Sequence, residues 1–185
     1  VKLIGLQELK SFLEKTDTEH DSVLLMLIEM VSKRMETFLN RDLTYQARTE
    51  KLYGDGFTMY QVRAFPVDTS QPFSVTRDGY LMKDSSDYFL DPDSGLITFV
   101  TPVYSRPLGL EISYTGGYKE GAEGILMVPD DIKKACLYQT AYEFRRRHEL
   151  GATSIAMPDG SMQIQPISLL PEVRSILQHH RRQPF

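Results

Sequence analysis

Histidine, cysteine and clustered acidic residues are where a chain of this size would catalyse or bind a metal, and here they are sparse and badly spaced. The histidines are His20, His148, His179 and His180. None belongs to an H-x-x-x-H or H-E-x-x-H pair, the spacing that puts two ligands on one helical face. Adjacent His179 and His180 would project about 100° apart on a helix, a poor geometry for sharing an ion; they read as solvated. Cys136 is the only cysteine, so a thiolate zinc site and an internal disulfide are both excluded, as expected of a protein made in a reducing cytoplasm. It falls in an amphipathic helical stretch with no neighbouring histidine and reads as a buried thiol rather than a nucleophile. The run Asp91-Pro92-Asp93-Ser94-Gly95 opens like a calcium loop, but the twelfth position, which needs Glu, is Pro102; a hairpin turn fits it better. Gly54-Asp55-Gly56 and Gly116-Gly117 lack the Lys-Ser/Thr of a phosphate loop. The expectation is no catalytic residue, no metal and no cofactor.

The cations are the remaining candidates. From Asp130 onward there are eight Lys/Arg against six Asp/Glu, so the earlier part of this chain of net charge −4 is the acidic one. Arg145-Arg146-Arg147 could contact phosphate. Three consecutive residues fan around a helix, however, and cations at a helix C-terminus are favoured by the macrodipole alone. Arg181-Arg182 could do the same or meet an acidic protein. With no global basic field, nucleic-acid binding is not the expected main activity.

The elements that must position these groups follow from periodicity. Leu24, Leu27, Ile28, Val31, Met35 and Phe38 recur at helical spacing, with Glu29, Lys33, Glu36 and Thr37 opposite. Leu6, Leu9, Phe12 and Leu13 mark a shorter helix before a polar turn, so the chain opens with a helical hairpin. The first fifteen residues lack the apolar core of a signal peptide, and no stretch approaches the roughly 20 apolar residues of a membrane span. After Asn40 come short segments rich in β-branched and aromatic residues, LTYQARTEKLYG, FTMYQV, PFSVT, DYFL, LITFV and LGLEISYTG, separated by Pro and Asp-Gly turns. Helix returns at Pro129-Asp130-Asp131 and is expected to reach Glu149, with Gly151 ending it. Its apolar residues cover two arcs, Ile132, Ala135, Cys136, Tyr138 and Tyr142 on one and Leu137, Ala141 and Phe144 on another. A helix apolar on two sides packs on two sides. Ile132, Cys136, Leu137, Tyr138, Tyr142 and Phe144 are thus candidates for a subunit interface. Beyond an extended excursion with a turn at Pro158-Asp159-Gly160, Leu170, Val173, Ile176 and Leu177 line one side of a closing helix too short to stand alone.

The order of these elements resembles the head–tail connector (head completion or adaptor) family of long-tailed bacteriophages. HDSVLLMLIEMVSKRMETFLNRDL resembles the family's second helix with Arg41 just past its end. RAFPVDTSQPFSVTRDG resembles its Pro-containing strand pair, and DYFLDPDSGLITF the hairpin after it. LEISYTGGY followed by VPDDIKKACLYQTAYEFRRR resembles its glycine turn and Pro-led helix. The resemblance spans roughly residues 5 to 150. The expected fold is α+β and mainly helical, with an N-terminal helical hairpin and a long C-terminal helix around a small antiparallel β insertion. The expected organisation is a connector domain over 1–151 (helices 6–14, 19–40 and 130–149; β insertion about 43–115) and a C-terminal docking tail over 152–185.

The resemblance implies a structural, non-enzymatic virion protein at the head–tail junction. Its partners would be the portal protein, a downstream stopper or tail completion protein, and further copies of itself in a ring, dodecameric when assembled. DNA would pass through the channel without sequence-specific binding, and no membrane is involved. By the same analogy Leu170, Val173, Ile176 and Leu177, with Arg181 and Arg182, would dock on the portal. Two other readings remain open. A tail completion or terminator protein would bind the tail tube instead. A small hydrolase using scattered Asp and His would need a concave pocket with at least two titratable groups of perturbed pKa.

Overall fold

The computed structural model describes residues 1–147, 154–157, 160–163 and 168–183, of which the strands within 154–163 are described by their backbone alone. The chain divides into two compact units, residues 1–38 with 128–180, and residues 39–127 with 181–185.

Unit one is helical. It holds α1 (Leu6–Phe12), α2 (Asp21–Leu39), α3 (Asp130–Arg146) and α4 (Pro171–His179). The Glu8 carboxylate accepts the Gly5 amide at 3.4 Å and so caps α1. Lys10, nearly buried, pairs with Asp21 at 2.7 Å and ties α1 to the start of α2. The apolar stripe of α2 is buried from Leu24 to Met35. Glu36, expected on the solvent side, is buried instead and accepts from Lys33 at 2.7 Å. Pro129 precedes α3, and Asp130 and Asp131 occupy its first turn, where carboxylates favour the positive helix end. The expected end of this helix at Glu149 to Gly151 lies outside the described residues, as does His148. Two further strands, β8 (Ser154–Met157) and β9 (Gly160–Gln163), pair antiparallel; Pro158 and Asp159 between them are outside the described residues. The α4 helix packs on α3 and buries Val173 and Leu177.

Unit two is built from β1 (Gln46–Leu52), β2 (Asp55–Gln61), β3 (Ser74–Arg77), β4 (Tyr80–Leu81), β5 (Tyr88–Asp91), β6 (Leu96–Tyr104) and β7 (Leu110–Gly116). They form a four-stranded sheet in the order β1-β7-β3-β4 and a three-stranded sheet in the order β2-β6-β5, with antiparallel pairing throughout. Both sheets contribute to one core: Val75, Leu110, Ile112 and Tyr114 from the first, and Tyr88, Ile97, Phe99 and Val103 from the second. The central β7 alternates strictly, with Leu110, Ile112, Tyr114 and Gly116 inward. Gly117 ends it at φ +105°, where a Cβ would fall 2.5 Å from the Thr44 carbonyl oxygen. That close approach explains a glycine after Tyr114-Thr115-Gly116.

The expectation of a mainly helical chain is therefore wrong: 34% of the described residues are helix and 29% strand. A 19-residue amphipathic helix such as α2 announces itself locally. The sheets depend instead on distant partners, Gln46 with Gly116 and Ser74 with Ser113, and their short strands carry little signal singly.

Candidate assembly surfaces and a polar cleft

Unit one sorts the residues singled out on α3 and α4. Ile132 and Cys136 are fully buried and Phe144 nearly so, whereas Leu137, Tyr138 and Tyr142 are half-buried. The Tyr138 ring lies 5.7 Å from that of Phe12. On α4, Val173 and Leu177 are buried, while Leu170 and Ile176 are half-buried. Gln139, fully buried, holds the start of α4: its side-chain oxygen accepts the Leu170 amide at 2.9 Å and its amide nitrogen donates to Glu143 at 2.8 Å. Arg34 of α2 donates to the same Glu143 carboxylate and to the Ser168 carbonyl.

The arginine run turns largely back on its own helix. Arg147 stacks 3.9 Å from the Phe144 ring centroid and donates to the Phe144 carbonyl at 2.6 Å, and Arg146 donates to the Tyr142 hydroxyl. Arg145 is exposed. His180 lies 2.5 Å from an Asp131 oxygen, and that contact, with two backbone amides, holds the Asp131 carboxyl below its usual range against the opposing effect of burial.

Unit two contains a cleft of about 700 Å³ lined by Asp42, residues 48 to 52, Tyr60, Arg63 and Arg182. Its centre is Glu50. That carboxylate accepts from the Tyr60 hydroxyl at 2.6 Å, the Arg63 amide at 2.8 Å and the Tyr114 hydroxyl. Arg48 donates to Asp42 at 2.7 Å and to the Thr44 carbonyl at 3.2 Å. Lys51 meets Glu111 at 2.8 Å across the β1–β7 pair. Arg182 reaches the cleft from the C-terminal segment: its amide donates to the Leu39 carbonyl, its Nε to the Gln61 carbonyl at 2.8 Å, and its guanidinium sits 5.3 Å from the Tyr60 ring centroid. The separate Arg181 is exposed.

One strongly perturbed group, Tyr60, lines the cleft, and a second, Tyr114, reaches Glu50 from the core; both are perturbed away from reactivity. Burial, and then the Glu50 carboxylate, push the Tyr60 and Tyr114 phenols far above their ordinary range. They stay protonated and serve as donors. Glu50 already accepts three hydrogen bonds and Asp42 is paired with Arg48. Elsewhere burial raises the Cys136 thiol to about 11, making it a poor nucleophile. Among the described residues no group of three or more His, Cys, Asp or Glu converges as metal ligands.

Residues 2–183, nearly the whole chain, match the head completion protein (HCP) family. The chain belongs to that family. Its fold is shared with a chain of the neck of an empty gene transfer agent particle computed with C6 symmetry, at TM-score 0.57 and 19% identity, covering 99% of this chain and 91% of that one. A chain from the virion of a native gene transfer agent particle matches at TM-score 0.57 and 18% identity over the same shares. No curated protein matches significantly. The role of this head completion protein is thus structural, that of a head–tail connector in a virion.

For such a protein the relevant features are surfaces, and sequence reasoning found only some of them. It singled out Arg182 but not Arg48, Lys51 or Arg63. These lie scattered over sixteen positions and converge only because β1 sits at a sheet edge beside the β2 end. The one local hint was the alternation of Arg48, Glu50 and Leu52 along β1.

Proposed function

We propose that this head completion protein acts without catalysis, as one of several copies closing a ring between portal and tail that extends the DNA channel after packaging. What carries this reading is the family match over residues 2–183, supported by the shared fold of neck chains. The mechanism is assembly: one surface of each copy meets a different surface of the next, and the rotation closes. On α3 the half-buried Leu137, Tyr138 and Tyr142 are the side chains with area left to give a neighbouring copy. Ile132, Cys136 and Phe144 act behind them as packing. Residues 1–151 would form the ring body and 152–185 the part that docks on the portal. Its contacts would be the half-buried Leu170 and Ile176, with exposed Arg181 beyond α4, while Val173 and Leu177 hold α4 in place; Arg182 is engaged by Gln61 and Tyr60 within unit two. A stopper or tail completion protein would follow on the opposite rim, with DNA passing through unread. Among the described residues no helix is long and apolar enough to cross a membrane.

The test is sedimentation of the purified chain at rising concentration, alone, with purified portal, and with tail tube. Ring formation alone or on the portal is the expected result. A monomer that ignores the portal, or one that binds the tail tube in preference, overturns the reading.

A further inference from the structure

Unit two has two opposite sides of different character. The β1 and β4 strands are the two edges of the four-stranded sheet, and β2 and β5 the two edges of the three-stranded one. A two-residue link, Tyr53-Gly54, joins β1 to β2, so those edges lie together; the link 82–87 joins β4 to β5 at the other side. The β1 side carries the cleft, where Arg48 and Lys51 are paired with Asp42 and Glu111, and Arg63 and Arg182 outnumber the remaining carboxylate, Glu50. Glu50, moreover, already accepts three hydrogen bonds. The β4–β5 side carries Asp84, Asp87 and Asp91 against Lys83. Large apolar side chains stand out in solvent there, Tyr80 at 80% exposure, Leu81 at 68% and Phe89 at 54%, as Tyr53 and Tyr104 do by the β1–β2 link.

We propose that the acidic β4–β5 link of one copy enters the basic β1-side cleft of the next, as a head-to-tail contact within the ring. The inference rests on the ring reading above and names the residues of one contact. Three features favour a second copy as the occupant. The two surfaces are opposite in charge. They lie at opposite edges of the same unit, the arrangement a heterologous, closing interface requires. Both flank edge strands, β1 and β4, each paired on one side only. Asp84 and Asp87 each accept one backbone amide, from Ser85 and Lys83, which leaves lone pairs for incoming guanidinium groups. Tyr80, Leu81 and Phe89 would cover the rim of the contact.

The experiment uses full-length chains carrying reversed charges on one side only. One variant combines Asp84→Lys with Ser86→Lys, the other Lys51→Glu with Arg63→Glu. Circular dichroism and melting confirm that both fold. Self-association is measured by sedimentation, or on purified portal if the chain assembles only there. Each variant alone should associate about tenfold or more weakly than the unaltered chain. An equimolar mixture should recover, because each reversed surface then finds a complementary one and the ring alternates. Added salt should weaken the unaltered contact. Unchanged association of either variant, or a mixture that fails to recover, overturns this contact while leaving the ring standing. Failure of the unaltered chain to assemble at all sinks the ring reading itself. Binding of a short DNA duplex that Lys51→Glu with Arg63→Glu abolishes, with self-association intact, assigns the cleft to phosphates and also overturns the contact.

Discussion

The Arg41 guanidinium lies 3.6 Å from the centroid of the Phe65 ring, and its Nη2 donates to the Phe65 carbonyl oxygen at 2.8 Å. Arg41 is only 4% exposed, and burial lowers its pKa although the Tyr118 ring, 5.2 Å away, is also at hand. A buried cation with no carboxylate partner among the described residues is costly, so the ring face and the carbonyl supply the compensation.

Replacing Arg41 by Ala should therefore lower the unfolding free energy by about 2–4 kcal/mol, since the Phe65 carbonyl loses its donor and the ring its cover. Arg41→Lys should recover only a small part, because an ammonium cannot both stack flat and donate sideways. Urea titration of the three proteins checks this. A loss under about 0.5 kcal/mol for Arg41→Ala, within the usual range for surface changes, would show that the contact is idle.

Cys136 should behave as an inert thiol. It is fully buried, with Ser32 Oγ at 3.8 Å and Thr140 Oγ1 at 3.9 Å, and burial raises it to about 11 from an ordinary 9.0. The folded state thus holds its proton more tightly than the unfolded state does, so this group withdraws stability only as pH rises past about 9. At pH 8 a disulfide reagent should modify the native protein no faster than it unfolds, and the denatured protein at once. Rapid stoichiometric labelling of the native chain would refute the burial of this face of α3.

What was legible in the sequence was what is encoded locally. The stripe from Leu24 to Met35, the Pro129-Asp130-Asp131 helix start and the alternation of Leu110, Ile112 and Tyr114 each announce an element within a few turns or residues. What was not legible depends on chain closure. Nothing near Glu50 says that Tyr60 and Tyr114 will both donate to it, or that Arg182 will return to lie over Tyr60. The share of strand was underestimated for the same reason: β1 and β3 acquire their order only by flanking β7.

Asp68 should give the protein a distinctive acid limb. Its carboxylate accepts from the Ser70 hydroxyl at 2.6 Å, the Tyr45 hydroxyl at 2.7 Å and the Ser70 amide at 3.0 Å, with Lys119 at 3.5 Å. These donors hold it far below the ordinary 3.8. For a depressed carboxyl the stabilisation is complete above the unfolded value and fades as pH falls toward the folded one. The stability difference between the native sequence and Asp68→Asn should be constant near neutrality and shrink only below about pH 4. Paired denaturation curves measured from pH 7 down to the acid transition provide the check. A difference that changes between pH 5 and 7 would point to another group.

Leu177 distinguishes a helix that belongs to unit one from one held ready for a partner. It is fully buried together with Val173 where α4 lies on α3, and Gln139 accepts the amide at the start of α4. If that packing is part of the folded protein alone, Leu177→Ala removes buried methyl groups and leaves a cavity, which costs about 3 kcal/mol. Ile176→Ala, on the half-buried side of the same helix, should cost well under half as much. The proposed docking role predicts the reverse order in portal affinity, with Ile176→Ala weakening binding more than Leu177→Ala once both proteins are compared at a temperature where they are fully folded. Equal and small stability losses would mean that α4 leaves its place on α3 at little cost. In that case Val173 and Leu177, rather than Leu170 and Ile176, are the side chains free to enter a portal groove.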